Sequence, residues 1–143
     1  MEVRDAVEAD ADQLAAIGDA PTDVMRELVH DRTVRVALET RASGPHDDTP
    51  AGEGDDEEVV GFVSYDARDR TVHVTQLAGT VEACERLLAA PTRFAASEGM
   101  TVEFLAGTDD DPVREAAAAV GFREVGPGPA FAGQSTVRYR YEP

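Results

Sequence analysis

Residues 72–99, VHVTQLAGTVEACERLLAAPTRFAASEG, set the architecture of this chain. Val72 and Val74 alternate with polar neighbours, the pattern of a half-buried strand. The strand is expected to give way at Leu77-Ala78-Gly79 to a helix beginning near Thr80. Thr80 suits the N-cap, because its hydroxyl accepts a backbone N–H that the first helical turn leaves unpaired. Val81, Cys84, Leu87 and Leu88 then mark an apolar helix face that continues to Phe94 and Ala95. Pro91 removes one backbone hydrogen bond and is expected to kink the helix, and Gly99 ends it. Such a strand-to-helix joint aims free N–H groups and the positive end of a helix dipole outward, which favours a phosphate or pyrophosphate.

Charge is the strongest compositional signal. Asp and Glu number 29 against 13 basic residues, all of them Arg, for a net charge of −16 over 143 residues. Self-repulsion destabilises so acidic a fold in dilute buffer. At molar salt the Debye length falls to about 3 Å and the repulsion is screened. The Lys-free, Ala- and Val-rich acidic composition therefore points to a halophilic protein from a salt-accumulating cell. Its periodic apolar segments argue against the alternative of a disordered, solvating chain. No clustered basic residues are present to grip phosphates, so neither a nucleic-acid nor a membrane partner is expected.

The length fits one domain, residues 1–143, with a real core. Met1 to Glu8 mixes charges and lacks the apolar region of a signal peptide. No run approaches the roughly 18 apolar residues of a membrane span. Cys84 is alone, which excludes an internal disulfide and suits a reducing, cytoplasmic location.

Outward from the central stretch, the pattern predicts further elements in both directions. Glu2 to Ala6 reads as a first strand. Asp10-Ala11-Asp12-Gln13 has the form of a capping box before a short helix ending near Gly18. Thr22 is expected to cap a second helix through Val24, Met25, Leu28 and Val29. Thr33 to Glu39 switches to period two, with Val34, Val36 and Leu38 on one face. Residues 41–58, RASGPHDDTPAGEGDDEE, have almost nothing to bury and read as a flexible acidic loop. Val59 to Asp66 and Thr71 to Thr75 form a hairpin about Ala67 to Arg70. Beyond Gly99, Val102, Phe104 and Leu105 give a short buried strand. Asp111-Pro112 then starts a helix that Gly121 closes, with Phe122 as the apolar contact after the cap. Arg123 to Gly126 and Thr136 to Glu142 are the last strands. The order β-α-α-β-β-β-α-β-α-β-β specifies an α/β (α+β) fold, a mixed, mostly antiparallel sheet of six or seven strands with helices on both faces.

This order, together with Leu87-Leu88, Ala95, Gly99, Val102 to Leu105 and Gly121-Phe122, resembles the GNAT superfamily of acyl-CoA-dependent N-acetyltransferases over nearly the whole chain. The resemblance implies acetyl transfer from acetyl-CoA to an amine of a small molecule or protein. It also implies a splayed strand pair that hydrogen-bonds the pantetheine arm, followed by a loop of pattern Gln/Arg-x-x-Gly-x-Gly/Ala around the pyrophosphate. Carried onto this sequence, backbone groups of Val74, Gln76, Leu77 and Gly79 and the N–H groups of Thr80, Val81, Glu82 and Ala83 would hold the cofactor. Counting back from Leu87-Leu88 without a gap puts Gly79, Glu82 and Cys84 on the three signature positions. A second register, Gln76 to Val81, matches two of three and needs a helix about one turn longer. Ala117 stands where many members carry a Tyr acid, and Asp110 where an Asn often opens the helix. No carboxylate lies on Thr71 to Gln76, where a base often sits. Glu82, Cys84 and Ala117 together support a competing identity, a GNAT-derived binding or regulatory domain without catalysis.

Several side chains carry two readings. His73 is either a base poised near neutrality or a half-buried strand residue. Cys84 is a nucleophile near a helix start or a small core residue. His30-Asp31 and His46-Asp47-Asp48 are metal-ligand types without a spaced partner set, so no metal is expected. Tyr139 and Tyr141 share a strand face and line a pocket or pack. Glu27, His30 and Asp31 end the helix that faces the acceptor in related proteins, where a solvated end is the alternative. Edge pairing through Thr136 to Glu142 would make the chain a homodimer.

Overall fold

The computed structural model describes residues 1–40, 57–130 and 133–143. Strand β1 (Glu2–Asp5) leads through a 3-10 turn at Glu8–Asp10 into α1 (Ala11–Gly18) and α2 (Thr22–Asp31). Then come β2 (Thr33–Thr40), β3 (Glu57–Arg68), β4 (Thr71–Gly79) and α3 (Val81–Glu98). The chain closes with β5 (Thr101–Gly107), α4 (Asp111–Val120), β6 (Arg123–Pro127) and β7 (Thr136–Tyr141). The seven strands form one sheet in the order β1-β2-β3-β4-β5-β7-β6. Every neighbouring pair is antiparallel except β4 and β5.

Strand alternation sorts the two faces. Val72, Val102, Phe104, Ala106, Val137 and Tyr139 point to one side and pack beneath Leu87 and Leu88 of α3 and Ala116 and Ala117 of α4. Val34, Val36, Leu38 and Phe62 point to the other, against Leu14 of α1 and Met25 of α2. Leu14, Met25, Phe62, Leu87 and Leu88 are fully buried. Each large apolar side chain of this kind contributes about 1.5–3 kcal/mol by leaving water.

Local chemistry explains the element ends. The Thr80 hydroxyl accepts the Ala83 N–H at 3.1 Å, and Gly99 closes α3 in the left-handed region at φ 69°. Gly121 closes α4 at φ 111°. Asp69 and Arg70 both have positive φ, which gives the β3–β4 hairpin the tight turn that suits twisted strands.

Several expectations are corrected. Asp10 does not cap α1. Its carboxylate accepts two bonds from Arg4 and one from the Val7 N–H at 2.8 Å, so it closes the preceding 3-10 turn instead. Burial alone would raise that carboxyl, but these bonds hold it below the usual carboxylate range. Gln13 accepts the Val59 N–H of β3 at 3.0 Å rather than completing a box. Thr22 is the first residue of α2, with Pro21 in the cap position. In α4 the cap residue is Asp110, and Asp111 begins the helix. Residues 57–58 of the expected acidic loop belong to β3, and 41–56 lie outside the described residues. Helix α3 runs unbroken through Pro91, where the Thr92 hydroxyl donates to the Leu88 and Ala89 carbonyls at 2.9 and 3.1 Å. Strand β7 is not an edge: it pairs with β5 on one side and β6 on the other, so its backbone is not open to a second copy. Among the described residues, no helix is long and apolar enough to cross a membrane.

Candidate functional site

Strand β4 extends past the point where a joint was expected. Leu77, Ala78 and Gly79 pair with Val63, Phe62 and Gly61 of β3, so the connection to α3 is the single residue Thr80. Gly79 sits at φ 137°, and a Cβ there would lie 2.4 Å from the Val60 carbonyl oxygen. Across the ladder, a Cβ on Gly61 would lie 2.8 Å from the Ala83 Cβ. The paired glycines thus let the start of α3 lie directly on β3.

The parallel pairing of β4 with β5 stops early. It covers only Thr71 with Thr101, Val72 with Val102, and His73 with Glu103. Just beyond, β4 carries an extra residue at Thr75, where the register against β3 shifts between Ser64 and Tyr65. Bulges of this kind bend a strand and sharpen its twist. The Thr75 hydroxyl donates to the Ser64 side chain at 2.9 Å, pinning the bulge to β3. From there β4 follows β3 while β5 follows β7, and the two strands part with backbone edges facing each other across a gap.

A cavity of about 580 Å³ opens at this fork on the α1–α2 face, where those helices cover β2, β3 and the Ala78 end of β4 and leave the fork uncovered. His73 and Glu103, the last paired residues, stand at its base. Arg32, Asp66, Arg68 and Arg138 form its walls. Arg32 is ion-paired with Asp66. Glu103 holds Arg140 at 2.7 Å and Arg138 at 3.9 Å. Val74 and Thr75 line the fork itself.

The expected cofactor residues fall into two groups. Val74, Gln76, Leu77 and Gly79 lie along the parted half of β4. Thr80, Val81, Glu82 and Ala83 form the start of α3. Two of the four N–H groups at that start already have acceptors, Thr80 on the Val60 carbonyl at 3.2 Å and Ala83 on the Thr80 hydroxyl. Among the described residues, the Val81 and Glu82 N–H groups have no protein acceptor. Glu82 adds a negative side chain to the same turn. The Gln/Arg-x-x-Gly-x-Gly/Ala loop has no counterpart in either register, because Gln76 to Gly79 are strand and Cys84 is fully buried. The residues therefore fit an extended amide-bearing arm at the parted strand edge, and offer two amides to a pyrophosphate.

Cys84 is a core residue. Burial, reinforced by the nearby Asp110 charge, pushes its thiol up to about 12, which keeps it neutral and unreactive. Ala117, where the resemblance expects a Tyr, is fully buried. Tyr139 stacks on Phe104 at 5.3 Å, and its hydroxyl lies 3.1 Å from Arg114 Nε and 3.3 Å from Glu124. Tyr141 packs on Phe122. His30 pairs with Glu8. Among the described residues, no three His, Cys, Asp or Glu side chains gather as metal ligands, and residues 46–48 are not described.

Glu103 escaped the sequence reading, which sought a carboxylate on β4 alone. Its signal was the alternation in TVEFLAG: with Val102 and Phe104 buried on one face, Glu103 must point to the other. That it meets His73 depends on the β4–β5 register, which a single strand does not encode.

No protein-family model and no curated protein sequence matches the chain. Solved structures do. A ribosomal-protein-alanine N-acetyltransferase from Brucella melitensis aligns at 16% identity and TM-score 0.69, covering 100% of both chains. Arabidopsis thaliana NAA60, solved with acetyl-CoA, aligns at 14% identity and TM-score 0.70, over 99% of this chain and 97% of that one. A protein from Desulfovibrio desulfuricans assigned to the GNAT family of acetyltransferases aligns at 19% identity and TM-score 0.66, over 99% and 98%. The chain has the GNAT fold.

Proposed function

We propose that the protein transfers an acetyl group from acetyl-CoA to the amine of a small molecule or protein. The observation that carries this reading is the parting of β4 from β5 after His73 and Glu103, with a cavity at the fork. Unpaired strand edges are what an extended arm with amide groups needs, since it can pair with them like an added strand. The backbone of Val74 to Gly79 would hold that arm, and the Val81 and Glu82 N–H groups would meet the pyrophosphate.

Acetyl-CoA supplies an acyl thioester, already activated toward amines. The chain then has to position the amine and dispose of a proton, and no protein nucleophile is required. His73, which lines the fork, would accept the amine proton directly or through water. Glu103, fixed by Arg140, orients the polar end of the cavity. Titration calorimetry with acetyl-CoA in molar KCl tests the reading, and absence of binding removes it.

A second reading is supported by Glu82, the one-residue joint and the buried Ala117: a GNAT-fold binding or regulatory domain without catalysis. Binding of acetyl-CoA with no thiol release over a broad amine panel would favour it. We also read the charge of −16 and the absence of Lys as adaptation to a salt-rich cytoplasm.

A further inference from the structure

We propose that the acceptor is an amine that also carries an anionic group, a carboxylate or phosphate, held between Arg68 and Arg138. The inference rests on the transferase reading above and specifies its acceptor.

The walls of the fork cavity reverse the charge of the molecule around them. The chain holds 29 acidic residues and 13 arginines, yet among the described residues three arginines and two carboxylates line this cavity. Asp66 is taken by Arg32. Glu103 gives its closer contact to Arg140, 2.7 Å against 3.9 Å for Arg138, so one carboxylate faces two guanidiniums. Arg68 has no ion-pair or hydrogen-bond partner among the described residues. Two under-compensated guanidiniums therefore remain. They come from opposite sides of the cavity, Arg68 from β3 opposite Thr71 at the closed end of the β4–β5 pair and Arg138 from β7 opposite Leu105 past the fork.

Such walls repel a simple ammonium ion. They suit an acceptor whose own negative charge sits between the two guanidiniums, since planar guanidinium forks bind carboxylate and phosphate through paired N–H bonds. The same positive field favours the uncharged form of an amine brought close to it. The uncharged form is the one with a lone pair to attack a thioester. When it attacks, the new N–C bond forms as the C–S bond breaks, CoA leaves as its thiol, and the amine gives up one proton.

The test uses the full chain in 2 M KCl with β-alanine, phosphoethanolamine and propylamine, following thiol release from acetyl-CoA. The expected result is a kcat/KM at least about tenfold higher for one or both anionic amines than for propylamine. Arg68→Gln and Arg138→Gln should each raise KM for the anionic amine about tenfold, whereas Arg86→Gln on the far face of α3 should not. Carboxylate and phosphate are separated by whichever of the first two is preferred. Equal rates for all three amines, or a preference for propylamine, overturn the inference while leaving acetyl transfer standing. If none of the three amines is acetylated, acetyl-CoA calorimetry decides the transferase reading and thermal shift decides the anion site. Stabilisation by β-alanine or phosphoethanolamine but not propylamine, lost in Arg68→Gln, sustains the anion site, and no such difference overturns it.

Discussion

The two halves of β4 are built to opposite ends. From Thr71 to His73 the strand has a neighbour on each side, and Val72 and Val102 are fully buried beneath α3. From Val74 to Gly79 it keeps only β3, and its other edge faces the gap. The closed half holds the two parts of the sheet together. The open half gains its freedom from one inserted residue, Thr75, and from β5 staying with β7. A single strand can therefore be closed at one end and open at the other when a bulge divides it.

The largest effect should come from the far end of the open half. Gly79→Ala forces a Cβ into the Val60 carbonyl at a φ that other residues resist, and should cost about 3 kcal/mol or more in denaturant unfolding at molar KCl. On the closed half, Val72→Ala should cost less, about 2 kcal/mol, through lost packing alone. If the second exceeds the first, the strand end is not pressed against β3 as described.

Salt should sharpen the contrast. Dilution from 1 M to 0.1 M KCl lengthens the Debye screening distance from about 3 to about 10 Å, so the melting temperature should fall. Amides of residues 76–79 should then exchange with solvent before those of residues 71–73, as hydrogen-exchange mass spectrometry can resolve. A simultaneous loss of protection would make the two halves one cooperative unit.

Beneath the open half lies Cys84. Its folded-state thiol value is raised from 9.0 to about 12, so over that interval the unfolded chain binds fewer protons than the folded one. Stability should fall as pH rises from about 9 to 12, and the Cys84→Ala variant should lack that component. Native protein should also resist alkylation at pH 8 and react only when unfolded. Rapid native labelling would place the start of α3 in solvent.

The smallest effect should carry opposite signs in two assays. Glu82 sits in the first turn of α3, where its charge favours the helix and opposes an incoming phosphate. Glu82→Gln should lose about 0.5 kcal/mol of stability yet bind acetyl-CoA severalfold more tightly by calorimetry. A variant that loses both would show that Glu82 does not face the cofactor.

The elements legible in the sequence are those fixed by neighbours along the chain. Thr80, Gly99 and Gly121 announce their caps, and period-two spacing marks β2 and the start of β5, although Leu105, read as part of its buried set, is half-buried and faces the cavity. Elements that depart from their local signals depend on distant partners. Leu77-Ala78-Gly79 looks like a turn because it is small and ends in Gly, yet Gly61 opposite makes room for it as strand. Asp10-x-x-Gln13 has the letters of a capping box, but Arg4 and Val59 claim both side chains. The candidate site was legible as a stretch of backbone and not as a cavity. Arg68, Glu103 and Arg138 come from three strands and Arg32 from the link between α2 and β2, and only the fold gathers them.

The one-residue link at Thr80 has a kinetic consequence. A lid needs a few residues free to change their backbone angles, and here the only residue between strand and helix has its N–H fixed to Val60 and its hydroxyl to Ala83. Helix α3 and strand β4 are thus one rigid lever. At this joint a ligand would meet a fixed edge and not a moving lid.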